Sequence, residues 1–335
     1  MPSADFDVPE NLFYNDLQLQ NGGKHSATLI LSAVLLNCVG IPGFLMNLSV
    51  VYVTIKNRTL HGSANFLLAL TSLFEMGHEA GHLLFLWLAL SGQNFIPYGL
   101  CVRIMALSLF CIGGIFASML CTGVDRILCV LQPNVHGRLN LGIYLTVHCL
   151  FCLALGSYIL MSLWNCANLY PSYPVTGYLS DLIIGQCAPI YTYSSLVTNL
   201  ATILLYILVG LSIWCKSTFS QFRLFRSLVV IIVANIGGYL YVSIMHGFVL
   251  PNMQLSNLNY WYINIFDGIL LNISSACNAF VLFCLSKDYR AAYQKEFGCL
   301  SQMLCLGAHN PPRATVTWAV TVKPAATRTC PNVTA

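Results

Sequence analysis

Charge is what this sequence has least of. Of its 335 residues only 8% are Asp, Glu, Lys or Arg, against 57% hydrophobic, and the mean hydropathy is +0.72. A soluble globular domain carries about 25% charged residues. A chain this poor in charge cannot face water on all sides, which excludes an ordinary soluble enzyme and puts most of it in lipid as one membrane domain. The net charge of +4 is too small for the basic surface that nucleic acid requires, so no nucleic-acid partner is expected. The basic-then-apolar layout of a cleaved leader is missing too. The first twenty residues, MPSADFDVPENLFYNDLQLQ, are acidic and mixed, so the first membrane helix is expected to act as an uncleaved targeting signal. Neither an internal repeat nor a second domain is visible. Fifteen cysteines are present, but scattered through apolar runs they behave as small hydrophobes rather than as a disulfide framework.

What the chain does have is seven apolar runs, at about residues 28–55, 64–90, 100–131, 139–164, 189–215, 224–250 and 260–286. Each exceeds the ~20 residues of a spanning helix. The fold class is therefore an all-α membrane protein, a seven-transmembrane helix bundle. With the N-terminus outside, thirteen Lys and Arg fall on the inner side and only Lys24 and Arg103 outside. Cytoplasmic loops collect Lys and Arg, which sets N-out, C-in. The expected parts are an extracellular segment 1–27, the bundle 28–286, an amphipathic eighth helix 287–298 and a disordered cytoplasmic tail 299–335. In the eighth helix Tyr289, Tyr293 and Phe297 share one face, and Lys287, Arg290 and Lys295 can reach headgroups, so membrane lipid is a partner. Cys299 and Cys305 follow at a position suited to S-palmitoylation.

The third run has no charge between Arg103 and Asp125. Asp125 and Arg126 then stand side by side where the helix should leave the lipid. Charges are costly at the bilayer centre and cheap at its edge, so the pair marks a membrane boundary.

Several stretches carry a resemblance. They are Asn47 in GFLMNLSVVYV, Cys101 opening the third run, GVDRILCVLQP with Asp125, Arg126 and Pro133, GGY at residues 237–239, and NAFVLFCLSKDYR leaving the seventh run. In this order they resemble a rhodopsin-like G-protein-coupled receptor. More closely, over about residues 28–298, the chain resembles the nematode serpentine chemoreceptors of the Srsx class. The resemblance implies a plasma-membrane receptor with no catalytic activity and no cofactor. It would bind an extracellular small molecule or peptide and signal through a heterotrimeric G protein. Arg126 would reach toward the G protein, and Asp125 would hold it at rest. Cys101 would bridge to the second outer loop, with Cys187 the first partner and Cys166 the second. Glu75 stands where the family has an aspartate, and with Asn47 and Asn278 it would form a polar core. Candidate pocket residues are His82, Ser108, Cys111, His246 and Asp267.

There are departures from that pattern. Asn278-Ala279-Phe280-Val281-Leu282 lacks the proline and tyrosine of Asn-Pro-x-x-Tyr, and Tyr239 takes the position of a toggle tryptophan. Arg223 and Arg226 offer Arg126 no acid. Ser108 sits where an amine receptor has its aspartate, which argues against a biogenic-amine ligand. No lysine occurs in the seventh run to hold retinal.

One motif belongs to another class. His78-Glu79-Ala80-Gly81-His82 satisfies H-E-x-x-H, in which two histidines one turn apart grip zinc and the glutamate is the base. With Asp267-Gly268 as third-ligand motif it suggests an intramembrane zinc metalloprotease. Against it, the peptidase leaves the Cys101 and Asp125-Arg126 spacings unexplained, and it places His78 and His82 ~21–27 Å along the helix, in the outer half. A middle reading puts His78, His82 and Asp267 in the ligand pocket, able to bind a divalent metal or a cationic group.

Overall fold

The structure, a computed structural model, describes Tyr14 and residues 25–183, 187–216, 230 and 236–304. The expectations for Arg223, Arg226, the Cys187 side chain, the Cys299 side chain, Cys305 and the tail lie outside the described residues. The chain divides into a main unit, Met1–Glu296, and a C-terminal unit, Phe297–Ala335.

Local sequence sets the helix ends. Helix α1 (Ala27–Lys56) opens at Ser26, whose hydroxyl accepts from the Leu29 amide. Helix α2 (Ser63–Ser91) stops at Gly92, which takes φ +74°, a left-handed turn that suits glycine. Strand β1 (Ile96–Pro97) follows. The third run, where one helix is expected, breaks at Met105 into α3 (Tyr98–Ile104) and α4 (Ala106–Leu131). Helix α5 (Pro133–His136) is one turn that begins on proline, where a missing N–H removes no hydrogen bond. Helix α6 (Leu141–Leu169) is capped by the Asn140 side chain. After β2 (Pro174–Val175) comes α7 (Cys187–Lys216). The described part of the sixth run is α-helical over 236–244, and its last turn, Met245–Val249, is π-helical. Helices α8 (Asn257–Leu285) and α9 (Lys287–Leu304) complete the order.

Five of the described helices are long and apolar enough to cross a membrane. Helix α2 has the length, but it carries two glutamates and two histidines inward. Large apolar side chains such as Trp87, Leu107, Ile143 and Trp214 are exposed, while Glu75, Glu79, His82, Asp267 and Asn272 are buried. That inverted distribution is what a lipid solvent selects. Helix α4 is the centre: 78% of its apolar window is buried, against 22–39% for the other four. It packs on α2, α6 and α7, and α1 packs on α2 and α8. Gly113 and Gly156 let α4 and α6 touch backbone to backbone. A Cβ on Gly113 would lie 2.7 Å from the Gly156 Cα, the close approach that small residues permit between helices in lipid.

A roof closes one end of the bundle. Strands β1 and β2 pair antiparallel, Ile96 with Val175, and the Tyr98 amide and hydroxyl donate to the Tyr173 and Leu182 carbonyls at 2.7 and 2.9 Å. The expected bridge at Cys101 is absent, because that thiol is free, fully buried and directed at the Met105 sulfur 3.6 Å away. The disulfide is on Cys166 instead, near the end of α6, with its partner outside the described residues. Cys149 and Cys152, at C-x-x-C spacing on α6, are both free. Cys166→Ser is therefore expected to lower stability by about 2–4 kcal/mol and to cut surface delivery, with Cys101→Ser near native. Thermal unfolding in detergent checks this, and equal losses in both variants would restore Cys101 to the bridge.

At the other end α9 turns back onto α1. The Tyr289 and Tyr293 hydroxyls lie 3.0 Å from Thr54 Oγ1 and 2.8 Å from Ser49 Oγ, and Lys56 pairs with Glu296 at 3.0 Å. Of the cations expected to reach lipid, Arg290 donates instead to the Phe283 and Cys284 carbonyls at the end of α8, and Lys295 to Asn57.

Candidate functional site

Helical spacing puts Glu75, His78, Glu79 and His82 on one face of α2, and each is at most 3% exposed. The upper two turns of that face help line a cavity of about 40 Å³ under the roof, room for a water or two. His78 and His82 share it with Tyr178 of the roof, Tyr191 of α7, His246 of the sixth run and Asp267 of α8. The His78 and His82 rings are 5.2 Å apart, and His82 stacks on Tyr178 at 6.2 Å. His246 Nε2 stands 3.4 Å from Asp267 Oδ2. Tyr178 is pinned by its hydroxyl, which donates to the Asn264 carbonyl at 2.7 Å. Gly268 makes this possible, since a Cβ there would collide with that hydroxyl. Both Asp267 oxygens and both His82 nitrogens lack a partner of full hydrogen-bond geometry, with Tyr241 and Asn272 as their looser polar neighbours. Buried polar groups are normally satisfied, so such a cluster marks a place where something else binds.

The structure thus gathers His82, His246 and Asp267 and leaves out Ser108 and Cys111. Ser108 donates to the Gly77 carbonyl at 2.7 Å, and the Cys111 sulfur packs against Gly77. Both join α4 to α2 rather than line the cavity. The Tyr178 roof was missed, because a loop residue fourteen positions past the fourth run gives no periodic signal.

The H-E-x-x-H face does not form a metal site of the peptidase kind. Among the described residues no three of His, Cys, Asp or Glu could hold one ion. Glu79 turns away, accepting from Ser275 at 3.0 Å and Asn47 at 3.4 Å, and Asn47 also donates to Ser275 at 3.2 Å. Asn47 therefore pairs with Glu79, not with Glu75 as expected, and Asn278 lies buried further along α8. Glu75 instead accepts from the Tyr239 hydroxyl at 2.9 Å, a tie from α2 to the sixth run.

At the end of α4, Asp125 is buried and accepts from Arg126 Nε at 2.9 Å and from Nη2. Its other oxygen faces His136 Nε2 at 3.0 Å, and Ser63 lies 3.3 Å from the same nitrogen. The turn that starts at Pro133 delivers His136 there, a partner the sequence reading passed over.

In the roof, Asp181 accepts from the Thr176 amide at 3.2 Å and from its hydroxyl. Burial pushes its carboxyl up to about 6, against the lowering effect of Thr176 and Trp261. An ordinary aspartate titrates near ~3.9. A raised folded value means the contribution is fully present below the ordinary value and lost as pH rises through about 6. The roof should therefore hold more firmly in mild acid. Asp181→Asn removes the titration, so the difference in melting temperature between variant and native should change across that window. A constant difference between pH 5 and 8 would end the idea.

A family model described as serpentine type 7TM GPCR chemoreceptor Srsx matches residues 38–297. No curated protein matches the chain.

Proposed function

Because the chain belongs to the Srsx family of serpentine seven-transmembrane GPCR chemoreceptors, we propose that it senses an extracellular chemical cue and activates a heterotrimeric G protein. It crosses the plasma membrane seven times, with the roof and N-terminus outside and Asp125, α9 and the C-terminus in the cytosol. Helix α9 lies along the inner leaflet. The cue is a small molecule rather than a peptide, since the cavity under the roof holds only about 40 Å³. The observation that carries the reading is the pairing, in one bundle, of a cavity lined by unsatisfied polar groups with a buried Asp125 held by the partly exposed Arg126 at the far end of α4.

Signal passes because the ligand prefers one arrangement of the sixth run. It can shift that equilibrium only by its difference in affinity for the two states. The test is a G-protein activation assay in cells expressing the chain, screened against odorant and small-acid or amine libraries, with an epitope tag beside residue 135. Antibody reaching that tag on intact cells would overturn the orientation. Full surface expression without activation by any library or any G protein would overturn the coupling.

A further inference from the structure

Resting on that receptor reading, we infer that the roofed cavity is a cation-exchange site. His246 is the resting companion of Asp267, and the ligand carries a small primary ammonium group that takes its place.

Asp267 starts the argument. Its side chain is 1% exposed, and apart from the nearby Tyr241 hydroxyl no donor within full hydrogen-bond geometry meets either oxygen. A carboxylate inside a membrane bundle is costly unless something opposite in charge faces it. Among the described residues no Lys or Arg lines the cavity. The groups that share it are the His246, His78 and His82 imidazoles, the Tyr178 and Tyr191 rings, and the Asn264 amide. Of these, His246 at 3.4 Å is paired with the carboxylate, and that contact is long. An ammonium brings three donors and a full charge to the same oxygen, and charge-assisted hydrogen bonds are the stronger kind. The unsatisfied His82 nitrogens include an acceptor for a second N–H, and the tyrosine faces suit a cation.

Size and coordination narrow the class further. A volume of about 40 Å³ admits an ammonium headgroup and a short carbon chain's first atoms, not a bulky quaternary centre. A divalent metal lacks its set, since no three ligating side chains among the described residues come together. Ser108 in place of an amine receptor's aspartate does not count against this, because the carboxylate here comes from α8.

The exchange has an outlet. His246 sits in the π-helical turn Met245–Val249, and such turns are uncommon and gather at functional sites. One turn below, Ser243 is held 2.7 Å from Ser195 of α7, and further down Tyr239 is tied to Glu75. Releasing His246 frees the roof end of the sixth run while the Ser243–Ser195 tie remains as its pivot.

The experiment uses full-length receptor in lipid nanodiscs, with ethylammonium as probe and ethanol and acetate as neutral and anionic controls at equal ionic strength. Ethylammonium is expected to raise the melting temperature in a saturable way, and the controls are not. Asp267→Asn should abolish the shift. His246→Ala should bind ethylammonium about tenfold more tightly, ~1.4 kcal/mol, because no imidazole needs displacing. The inference is overturned by no shift in the native receptor, by an equal shift in Asp267→Asn, by weaker binding in His246→Ala, or by zinc ions giving the shift in place of ethylammonium. If Asp267→Asn does not fold, the His246→Ala affinity decides. The readout contains no G protein. Binding without coupling would therefore sink the receptor reading alone, and coupling to another cue without this binding would sink the exchange site alone.

Discussion

Replacing Arg126 with alanine should abolish G-protein activation while leaving the receptor at the cell surface. Arg126 is partly exposed at the end of α4, and both of its hydrogen bonds go to Asp125. In the proposed function it leaves Asp125 to meet the G protein, so a truncated side chain removes the interaction made only in the coupled state. Folding should suffer little. Asp125 keeps His136 at 3.0 Å, so its desolvation cost is partly offset. Losing one charged hydrogen-bond partner then costs about 1–3 kcal/mol. Signal should fall at least ~100-fold, the equivalent of about 2.8 kcal/mol, at unchanged antibody staining of intact cells. Native-like activation in this variant would take Arg126 out of the mechanism. His136→Ala is the informative companion. It removes a restraint on Asp125 without touching Arg126, and basal signalling should rise.

Tyr239→Phe should switch the receptor partly on without ligand. The Tyr239 hydroxyl donates to Glu75 at 2.9 Å, both side chains are buried, and the bond ties the sixth run to α2. A hydrogen bond to a charged group contributes about 1.5–3 kcal/mol. Deleting it from one arrangement only would shift the population toward the other by ~10- to 100-fold. Phenylalanine keeps the packing of the ring against Phe116, whose centroid is 5.5 Å away, so the change is confined to the bond. Basal G-protein activation at matched surface density is the measurement. Basal activity equal to native would mean that the tie persists in both states. Glu75→Gln, which can still accept from Tyr239, should fall between the two.

How much of this was legible follows from which signals are local. Apolar runs show themselves residue by residue, and among the described residues five helices on these runs are long and apolar enough to cross a membrane. Caps such as Ser26 and Asn140 are local as well. The break at Met105 was not, because no proline or glycine marks it and the backbone bonds from Met105 to Cys101 and from Leu109 to Met105 run through. The inward face of α2 could be read from spacing alone. Which glutamate meets Asn47 could not, because Glu75 and Glu79 differ by one turn, and the answer depends on how far α1 slides along α2. Resemblance led to Cys101 as the bridged cysteine. The outcome turned on direction, since α3 aims the Cys101 sulfur at Met105. His136 and Tyr178 reach their sites from loops, where hydrogen bonds across the bundle decide and periodicity says nothing.

The roof over the cavity is fastened on two sides, to α3 through Tyr98 and to α8 through Tyr178. A molecule wider than the partly open mouth of the cavity must wait for one of these fastenings to let go, and must wait again to leave. Arrival and departure are then both slowed by the same barrier, which leaves equilibrium affinity unchanged and lengthens the stay. A response recorded during rapid wash-out should outlast the stimulus, and Tyr178→Phe should shorten that afterglow without moving the half-maximal dose.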